Sequence, residues 1–316
     1  MNNANTNNIK NPTGIVISVI IPTKNNCWSL ERTLISLLQQ KNVNGLQYEI
    51  IVVDNNSRDD TQGTVFKFMT RFNDRLKYAH TDMPGAANAR NKGITQARGD
   101  IIAFTDDDCV ADPNWLAEIH KAYHQYHPNA IQGRVFLATP LPRGIRFPKW
   151  FIEQRLAHVD HGEQIREIKG LDLVGANMVI PKKVFEQYGH LDPSPAFLMN
   201  DDTEFSRRIS KHNVKIIYNP NIKIYHHFFV ERINERKFLK QTFDWGRSNI
   251  VLEPTNLPPY RHFLYCLKLI LLNICTLLLA YVKGDHLKIF LTKCAIYGCW
   301  GRCYQLIDNA VKKSNA

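Results

Sequence analysis

The chain of 316 residues lacks several features that would place a protein in a class at once. It has no Cys-x-x-Cys pair among its seven cysteines, which argues against a zinc site or a disulfide framework and favours free thiols in a reducing, cytosolic setting. Residues 1–14 are polar and rich in asparagine, without the apolar core of a secretion signal, so we expect a disordered tail there. No dense block of lysine and arginine with interleaved aromatic residues is present, which argues against nucleic-acid binding.

Acidic residues are outnumbered by basic ones, 29 to 40, which gives a net charge of +11. Excess positive charge suits nucleic acid, anionic lipid or phosphorylated ligands, and does not choose among them. The apolar content of 44% and the charged content of 22% are those of a globular protein. The length allows one large domain, or one domain with an appendage.

Strands and helices alternate over roughly the first hundred residues. Apolar, largely β-branched runs at residues 16–21, 48–53 and 101–104 predict buried strands, with helical patterns between them. This alternation predicts an α/β domain, which we place at residues 15–235, with a doubly wound, mostly parallel sheet flanked by helices. Ligands of such sheets bind beyond the carboxyl ends of the strands. We therefore expect three strand-end segments to converge on one cleft: residues 22–25, 54–56 and 106–108.

The C-terminal residues 236–316 predict a helical, apolar, membrane-associating region. Residues 263–282 are mostly apolar and long enough to span a bilayer, although the charge of Lys268 would have to reach the interface. A weaker apolar stretch at residues 287–307 carries aromatic and cationic residues that suit a membrane interface. Three interpretations stay open: an interfacial helix pair, one true span, or helices packed on the first domain or a second subunit. The first two fit the cytoplasmic face of the cell membrane, because that leaflet is anionic.

Three consecutive aspartates, Asp106, Asp107 and Asp108, close the strand at residues 101–104. Like charges this close repel, and buried unpaired carboxylates are costly, so we expect a cation beside them. A divalent metal with a phosphate-bearing ligand is the natural candidate. Side chains alternate along an extended segment, so Asp106 and Asp108 should face one way and Asp107 the other. The alternative is an aspartate-rich loop that caps the helix beginning near Pro113.

Six motifs in a fixed order resemble those of the family 2 glycosyltransferases, and together they cover about residues 16–230. The matching residues are Val19–Asn25, Ile51–Ser57 with Asp60 and Thr61, Gly85–Gly93, Phe104–Asp108, Gly175–Met178, and Asp201–Phe205 with Arg208. Each motif is weak alone, but their order and spacing are specific. The resemblance implies a GT-A type fold and an inverting, metal-dependent transfer of a sugar from a nucleoside-diphosphate sugar to a hydroxyl of a glycan or lipid-linked acceptor, as in surface polysaccharide synthesis.

In this family the loop after the first strand and the acidic residue after the second strand hold the nucleobase. The corresponding residues here are Pro22, Thr23, Asn25 and Asp54. A carboxylate at Asp54 could accept the imide N–H of uracil or thymine, the alternative being a plain turn residue. Asn56 stands where many relatives have an acidic residue or glycine, which leaves the base and sugar open. Arg90 resembles the family's arginine that faces the nucleotide and could hold phosphate or order the aspartates, the alternative being a surface ion pair.

Asp106 and Asp108 resemble the Asp-x-Asp motif of the family. By that resemblance Asp108 would hold Mn²⁺ or Mg²⁺ bridging the diphosphate, and Asp106 would contact ribose, sugar or metal. Asp107 would lie beside the donor nucleotide as their neighbour. His226 or the adjacent His227 could complete the metal shell, and a local hydrogen bond at the end of a strand is the alternative.

The segment Asp201–Phe205 resembles the family's Glu-Asp-x-Glu-Leu motif, with mild departures at its two ends. By that resemblance Asp202 is the general base that takes the proton of the acceptor hydroxyl, and Asp201, Asn177 and Glu204 belong to the acceptor side. The alternative is that the acidic residues only favour the N-terminus of a helix, a role that suits Glu204.

Two other functions use similar residues. A nucleotidyltransferase also needs aspartates and a metal, but should have a glycine-rich phosphate loop after its first strand, and residues 22–26 contain no glycine. A non-catalytic nucleotide-sugar-binding or membrane scaffold protein would not need Asp106, Asp108 and Asp202. The expected partners are a nucleoside-diphosphate sugar, a glycan or lipid-linked acceptor and an anionic membrane surface, with a homo-oligomer left open.

Overall fold

The computed structural model describes residue 14 and residues 16–140, 152–153, 156–170, 172–194, 200–227, 235–252 and 257–314. The predicted tail lies outside these residues except for Gly14. Contacts divide the chain into two compact units. The first unit comprises residues 1–138, 149–191 and 206–227, and the second comprises residues 139–148, 192–205 and 228–316.

The first unit is built on a nine-stranded sheet. Its strands are β1 (Ile17–Thr23), β2 (Tyr48–Asp54), β3 (Leu76–His80), β4 (Ile101–Phe104), β5 (Cys109–Ala111), β6 (Ala130–Leu137), β7 (Arg166–Glu167), β8 (Met178–Pro181) and β9 (Ile216–His226). They lie in the order β3-β2-β1-β4-β8-β6-β9-β5, and β7 pairs with β9. Its helices are α1 (Cys27–Leu38), α2 (Thr61–Met69), α3 (Ala86–Gln96), α4 (Trp115–Tyr126) and α5 (Lys182–Tyr188). Helix α6 (Asp201–Ser210) begins in the second unit and ends in the first.

The strands β1 to β4 form the parallel half of the sheet. β1 pairs in parallel with β2 and β4, and β2 pairs in parallel with β3. Every residue of β2 is buried, as expected for a strand covered on both faces, which is why it is apolar almost throughout. The α/β prediction is confirmed. The second half adds antiparallel pairs of β8 with β4 and β6, so the whole sheet is mixed.

The register of these strands brings their carboxyl ends to one edge of the sheet. Thr23, the last residue of β1, pairs with Asp54, the last residue of β2. On the other side of β1, Ile20 pairs with Phe104, the last residue of β4. The loops that follow the three strands therefore start side by side.

The strand β9 is a single strand of eleven residues that pairs in parallel with β6. The pairing is irregular at one point, where the register shifts between Gly133 and Arg134 of β6. Only glycine fits at residue 133, because a Cβ there would lie within 3 Å of the amide of Asn177 and the carbonyl of Ile222.

The second unit contains three long helices: α7 (Glu235–Leu252), α8 (Pro259–Val282) and α9 (His286–Ser314). α9 packs against both α7 and α8. A Cβ at Gly246 of α7 or Gly301 of α9 would lie within 3 Å of the partner helix backbone, so these glycines permit close approach. All seven cysteines of the chain are free thiols.

Helix α8 leaves most of its apolar surface uncovered. Its 24 residues are long and apolar enough to cross a membrane, and only 11% of its most apolar stretch is buried within the protein. A groove of about 920 Å³ is lined by one leucine, four aromatic residues and four charged residues of α7 and α9. These are Glu235, Arg236, Leu239, Lys240, Phe243, Asp244, Tyr297, Trp300 and Tyr304.

Candidate active site

The loops after β1 and β2 are tied together by Asn25. Its backbone is left-handed, with φ of +52°, a conformation that asparagine tolerates better than most residues. The Asn25 N–H donates to Ser57 Oγ at 2.9 Å, and the Arg58 N–H donates to Asn25 Oδ1 at 2.6 Å. Pro22, which precedes this loop on β1, pairs in register with Val53. The predicted nucleobase loop is thus held against the end of β2.

Asp54 is nearly completely buried at the end of β2. Its Oδ1 accepts the Ser57 N–H at 2.8 Å, and its Oδ2 accepts the Tyr78 hydroxyl at 2.8 Å. Burial and this hydrogen bond raise the pKa of Tyr78 to about 12, so the phenol stays protonated and donates. Each carboxylate oxygen keeps a second lone pair, so a fixed Asp54 can still accept an N–H. Asn56, close by, is exposed and left-handed.

Asp107 braces the loop after β1. Its carboxylate accepts hydrogen bonds from Thr23 Oγ1 at 2.7 Å and Asn26 Nδ2 at 2.6 Å, and its carbonyl accepts one from Thr33 Oγ1 at 3.0 Å. Burial and the Asp108 carboxylate raise the pKa of Asp107 to about 7, against the lowering effect of Thr23 and Asn26. The side chain of Asp107 thus contacts the end of β1 and the residue before α1, whereas the side chains of Asp106 and Asp108 contact other elements.

Asp106 faces α3. Its Oδ1 lies 3.2 Å from Nη2 of Arg90, whose side chain is buried. Gly175 makes room for this arginine, because a Cβ there would lie within 3 Å of the guanidinium group. Burial raises the pKa of Asp106, and although Arg90 opposes that shift, the adjacent Asp108 carboxylate adds to it. The surroundings therefore favour further positive charge beside Asp106. A surface ion pair, the alternative for Arg90, does not fit its burial.

Asp108 faces His226 at the end of β9. The two atoms His226 Nε2 and Asp108 Oδ1 are 3.2 Å apart. The other ring nitrogen, Nδ1, is 2.8 Å from the carbonyl of Leu156 and must donate, because a carbonyl only accepts. Burial lowers the pKa of His226, but Asp108 more than compensates and raises it to about 9. His227 contributes its backbone N–H to the Asp108 carbonyl at 2.8 Å. Of the two adjacent histidines, His226 thus presents its ring to Asp108.

The donor set around Asp108 fits a divalent metal shared with a phosphate ligand. Within the described residues, no group of three or more His, Cys, Asp or Glu side chains forms a metal cage on its own. Asp108 and His226 nevertheless offer one oxygen and one nitrogen side by side. The Nδ1–H bond to a carbonyl is the arrangement that usually orients a metal-binding histidine. Mn²⁺ and Mg²⁺ would take their remaining ligands from phosphate oxygens and water.

Asn177 is built into the core of the first unit. Its Oδ1 accepts the Trp115 Nε1–H, and its Nδ2 donates to the carbonyls of Arg134 and Ile222, each at 2.9 Å. The residue has no exposed surface. The acceptor contact expected from the sequence does not fit this placement, because the amide is used to join β6, β9 and α4.

Asp201, Asp202 and Glu204 lie in the first turn of α6. Asp202 Oδ1 accepts the Thr203 N–H at 2.7 Å, and the Glu204 N–H donates to the carbonyl of Asn200 at 2.8 Å. Asp201 is buried, whereas Asp202 and Glu204 are partly exposed. Acidic residues stabilise the N-terminus of a helix, so this placement suits both the structural and the catalytic interpretation of Asp202.

Sequence reasoning missed three parts of this site. Tyr78 is a lone tyrosine on a short strand, Asn26 is one of many asparagines, and the Leu156 carbonyl belongs to the backbone. None of them carries a motif. The sequence offered one signal for these parts of the site: Asn26 is a polar residue directly after the motif at residues 22–25.

Comparison with known proteins adds an independent finding. The sequence model described as "Glycosyl transferase family 2" matches residues 18–189, more than half of the chain. The chain is 33% identical over 224 residues to validoxylamine A glucosyltransferase of Streptomyces hygroscopicus, covering 63% of this chain and 52% of that protein. It is 35% identical over 100 residues to glycosyltransferase AglE of Haloferax volcanii, covering 32% and 33%. The chain thus spans about a third to a half of these relatives.

Solved structures show the same fold at low sequence identity. A mannosyltransferase from Pyrobaculum calidifontis, in complex with GDP-Man and Mn²⁺, aligns with a TM-score of 0.58 and 20% identity over 94% of this chain and 86% of that one. TarS from S. aureus, in complex with UDP-GlcNAc, aligns with a TM-score of 0.53 and 17% identity over 77% and 68%. The fold is therefore of the GT-A type, and the chain belongs to the family 2 glycosyltransferases.

Proposed function

We propose that the protein is a metal-dependent, inverting glycosyltransferase that moves a sugar from a nucleoside-diphosphate sugar to a hydroxyl group of a glycan or lipid-linked acceptor. The observation that carries this proposal is the pair of Asp108 and His226, 3.2 Å apart, with His226 Nδ1 anchored on a carbonyl. Asp108 follows β4, which pairs with one side of β1, and Asp54 ends β2, which pairs with the other side. Under this proposal the same edge of the sheet would supply a metal-binding pair and a carboxylate for a nucleobase.

The donor would bind through its base and its phosphates. Asp54, fixed by Tyr78 and the Ser57 N–H, would accept an N–H of the base. Asp108 and His226 would hold Mn²⁺ or Mg²⁺, which when bound neutralises the charge on the leaving nucleoside diphosphate. Arg90 would keep the carboxylate of Asp106 oriented toward the ribose, the sugar or the metal. The P. calidifontis mannosyltransferase, whose structure is in complex with GDP-Man and Mn²⁺, supports this donor class and this metal.

The acceptor would be activated by Asp202. Its carboxylate would take the proton of the acceptor hydroxyl as that oxygen attacks the anomeric carbon from the face opposite the diphosphate. A single displacement of this kind inverts the anomeric configuration. Asp202 is partly exposed, as a base that meets substrate must be, while its neighbour Asp201 is buried. Glu204 would serve the N-terminus of α6.

The activities of two relatives support a lipid-linked or polymeric glycan as the acceptor. The chain is 24% identical over 227 residues to glucosyl-dolichyl phosphate glucuronosyltransferase of Haloferax volcanii, covering 65% of this chain and 66% of that protein. Over 114 residues, or 36% of this chain, it is 28% identical to poly(ribitol-phosphate) beta-N-acetylglucosaminyltransferase TarS of Staphylococcus aureus. A lipid-linked or polymeric surface glycan is the acceptor that these two names favour.

The second unit would attach the enzyme to the cytoplasmic face of the membrane, peripherally or by a single span. Helix α8 exposes large apolar side chains such as Leu271 (65%) and Leu278 (62%). Trp300 and Tyr304 of α9 are half-exposed in the aromatic groove beside charged residues of α7. Aromatic and cationic side chains of this kind are typical of the membrane–water interface.

A panel of nucleoside-diphosphate sugars with Mn²⁺ tests the proposed reaction. The wild-type protein should hydrolyse or transfer the sugar of at least one donor, with release of a nucleoside diphosphate. Asp202→Asn should bind that donor as tightly as the wild type and lose transfer, whereas Glu204→Gln, in the same helical turn, should keep it. Full transfer by Asp202→Asn would overturn the assignment of the base. The absence of any Mn²⁺-dependent donor turnover would overturn the proposed reaction.

A further inference from the structure

The His226 ring is held by a segment that has no helix or long strand of its own. Residues 156–163, here called the bracing segment, lie beside β6. The Leu156 carbonyl accepts the Nδ1–H of His226 at 2.8 Å. Val159 forms a two-way backbone bridge with Val135 of β6, with N–O distances of 2.9 and 3.1 Å. The orientation of His226 therefore depends on how firmly the bracing segment is fixed to β6.

Arg134 of β6 is the side chain that fixes it. Its Nη2 is 2.6 Å from Asp160 Oδ2, and its Nη1 is 2.7 Å from Glu163 Oε1. The guanidinium group stacks over the ring of Phe136, with 4.7 Å from Cζ to the ring centroid. The Asp160 carboxylate is itself held, because its Oδ1 accepts the Gly162 N–H at 2.9 Å. Arg134 thus grips both ends of a turn that begins one residue after the Val159 bridge.

An arginine suits this position better than a lysine would. Its planar fork binds two separate carboxylates with two N–H groups at once and stacks on an aromatic ring, neither of which an ammonium group reproduces. The two carboxylates differ in their exposure. The Asp160 side chain is 31% exposed, whereas the Glu163 side chain is 80% exposed. Ion pairs between exposed groups contribute little, so the contact with Asp160 should dominate.

We propose that Arg134 is a positioning residue of the metal site. It holds the bracing segment so that the Leu156 carbonyl keeps the His226 ring turned with Nε2 toward Asp108. The path runs from Arg134 through Asp160 and the backbone of the segment to the carbonyl, and from there to His226. This inference rests on the proposed function, because it requires that His226 binds the metal.

The test measures Mn²⁺ affinity directly. Free Mn²⁺ is followed by electron paramagnetic resonance while the ion is titrated into the full chain in the presence of UDP, GDP or dTDP. Loss of a partner that orients a metal ligand typically weakens metal binding about 10- to 100-fold. Since Arg134 acts one step further away, Arg134→Lys and Asp160→Asn should weaken it about 3- to 10-fold. Glu163→Gln, the matched control, should change it less than about 2-fold.

A double-variant cycle separates positioning from a general loss of stability. In a His226→Ala background, Arg134→Lys should leave the remaining Mn²⁺ affinity unchanged, because the ring that it positions is gone. An equal loss in both backgrounds would overturn the proposal. A lower melting temperature of Arg134→Lys with wild-type Mn²⁺ affinity would overturn it too. If Arg134→Lys fails to fold, Asp160→Asn takes its place in the same cycle.

The His226→Ala variant alone tests the premise. A loss of Mn²⁺ affinity in His226→Ala supports the metal site, and the Arg134 variants then decide the positioning role. Wild-type Mn²⁺ affinity in His226→Ala would overturn the metal role of His226, and the proposal for Arg134 with it.

Discussion

The hydrogen bond between Tyr78 and Asp54 gives the sharpest test of how the cleft holds a nucleobase. Replacing Tyr78 with phenylalanine removes one oxygen atom and leaves the ring, which packs edge-on against Phe66, in place. Asp54 Oδ2 then loses the donor at 2.8 Å, while Oδ1 keeps the Ser57 N–H. The carboxylate is no longer fixed in one orientation before the donor arrives.

The size of the effect follows from two terms. A hydrogen bond to a charged group contributes about 1.5–3 kcal/mol to stability. Because Tyr78 is partly exposed, we expect the loss in unfolding free energy to be near the lower end, about 1.5–2 kcal/mol. Ordering one side chain on binding costs about 0.5–1.5 kcal/mol. Nucleoside diphosphate should therefore bind about 2- to 13-fold more weakly to Tyr78→Phe.

The assay is calorimetric titration of UDP, GDP and dTDP in the presence of Mn²⁺. Tyr48→Phe is the matched control, because Tyr48 begins β2 at the end away from Asp54. The control should bind like the wild type. Tyr78→Phe should bind a nucleoside diphosphate more weakly if its base donates an N–H to Asp54. Unchanged affinity in Tyr78→Phe, together with the expected loss of stability, would refute the role of Asp54 in holding the base.

Two further predictions concern stability and membrane binding. Glu49 is buried and accepts hydrogen bonds from Ser18, Lys77 and Arg98. Burial raises the pKa of Glu49, but these three partners together lower it by more, so the net shift is downward. Glu49→Gln should lower the free energy of unfolding by about 1.5–3 kcal/mol at pH 7, measured by urea unfolding. This difference should start to shrink below the ordinary glutamate pKa of about 4.3 and vanish once pH has fallen through the lowered pKa of Glu49; a difference independent of pH would contradict this. Replacing the exposed Leu271 and Leu278 with lysine should reduce sedimentation with anionic vesicles more than tenfold, since each charge costs about 2.5–3.5 kcal/mol in a bilayer, and equal sedimentation would contradict membrane attachment through α8.

The parallel half of the sheet was predictable because its signal is local. The runs that form β1, β2 and β4 are apolar throughout, as strands buried on both faces must be. β6 gave no such signal, because Gln132 and Arg134 interrupt its apolar pattern. Both are buried, and both have partners that are distant in sequence: Gln132 Oε1 accepts the Val174 N–H, and Arg134 binds Asp160. From the sequence alone, a polar residue in a strand is predicted to be exposed, because its buried hydrogen-bond partner is not known.

The candidate site divides in the same way. The three aspartates were recognisable as a candidate site because adjacent carboxylates repel each other. In the structure Asp107 is turned toward Thr23, away from its two neighbours, as the alternation along a strand suggests. The sequence left His226 and His227 equivalent, because the choice depends on a carbonyl seventy residues away in the chain. Asn177 is a case of the opposite kind. Its motif suggested a contact with the acceptor, but its amide group makes hydrogen bonds only to residues of the core in the part of the chain that the structure describes.

The central claim is that donor binding depends on a divalent metal held at Asp108. The most direct measurement is calorimetric titration of UDP, GDP and dTDP into the wild type and Asp108→Asn, each with Mn²⁺ and with EDTA. Asp112→Asn, in the turn after β5, serves as the control. We predict that at least one nucleoside diphosphate binds the wild type and the control at least about tenfold more tightly with Mn²⁺, and that Asp108→Asn loses this difference. Binding of equal strength with Mn²⁺ and EDTA, or an undiminished Mn²⁺ effect in Asp108→Asn, would contradict the account.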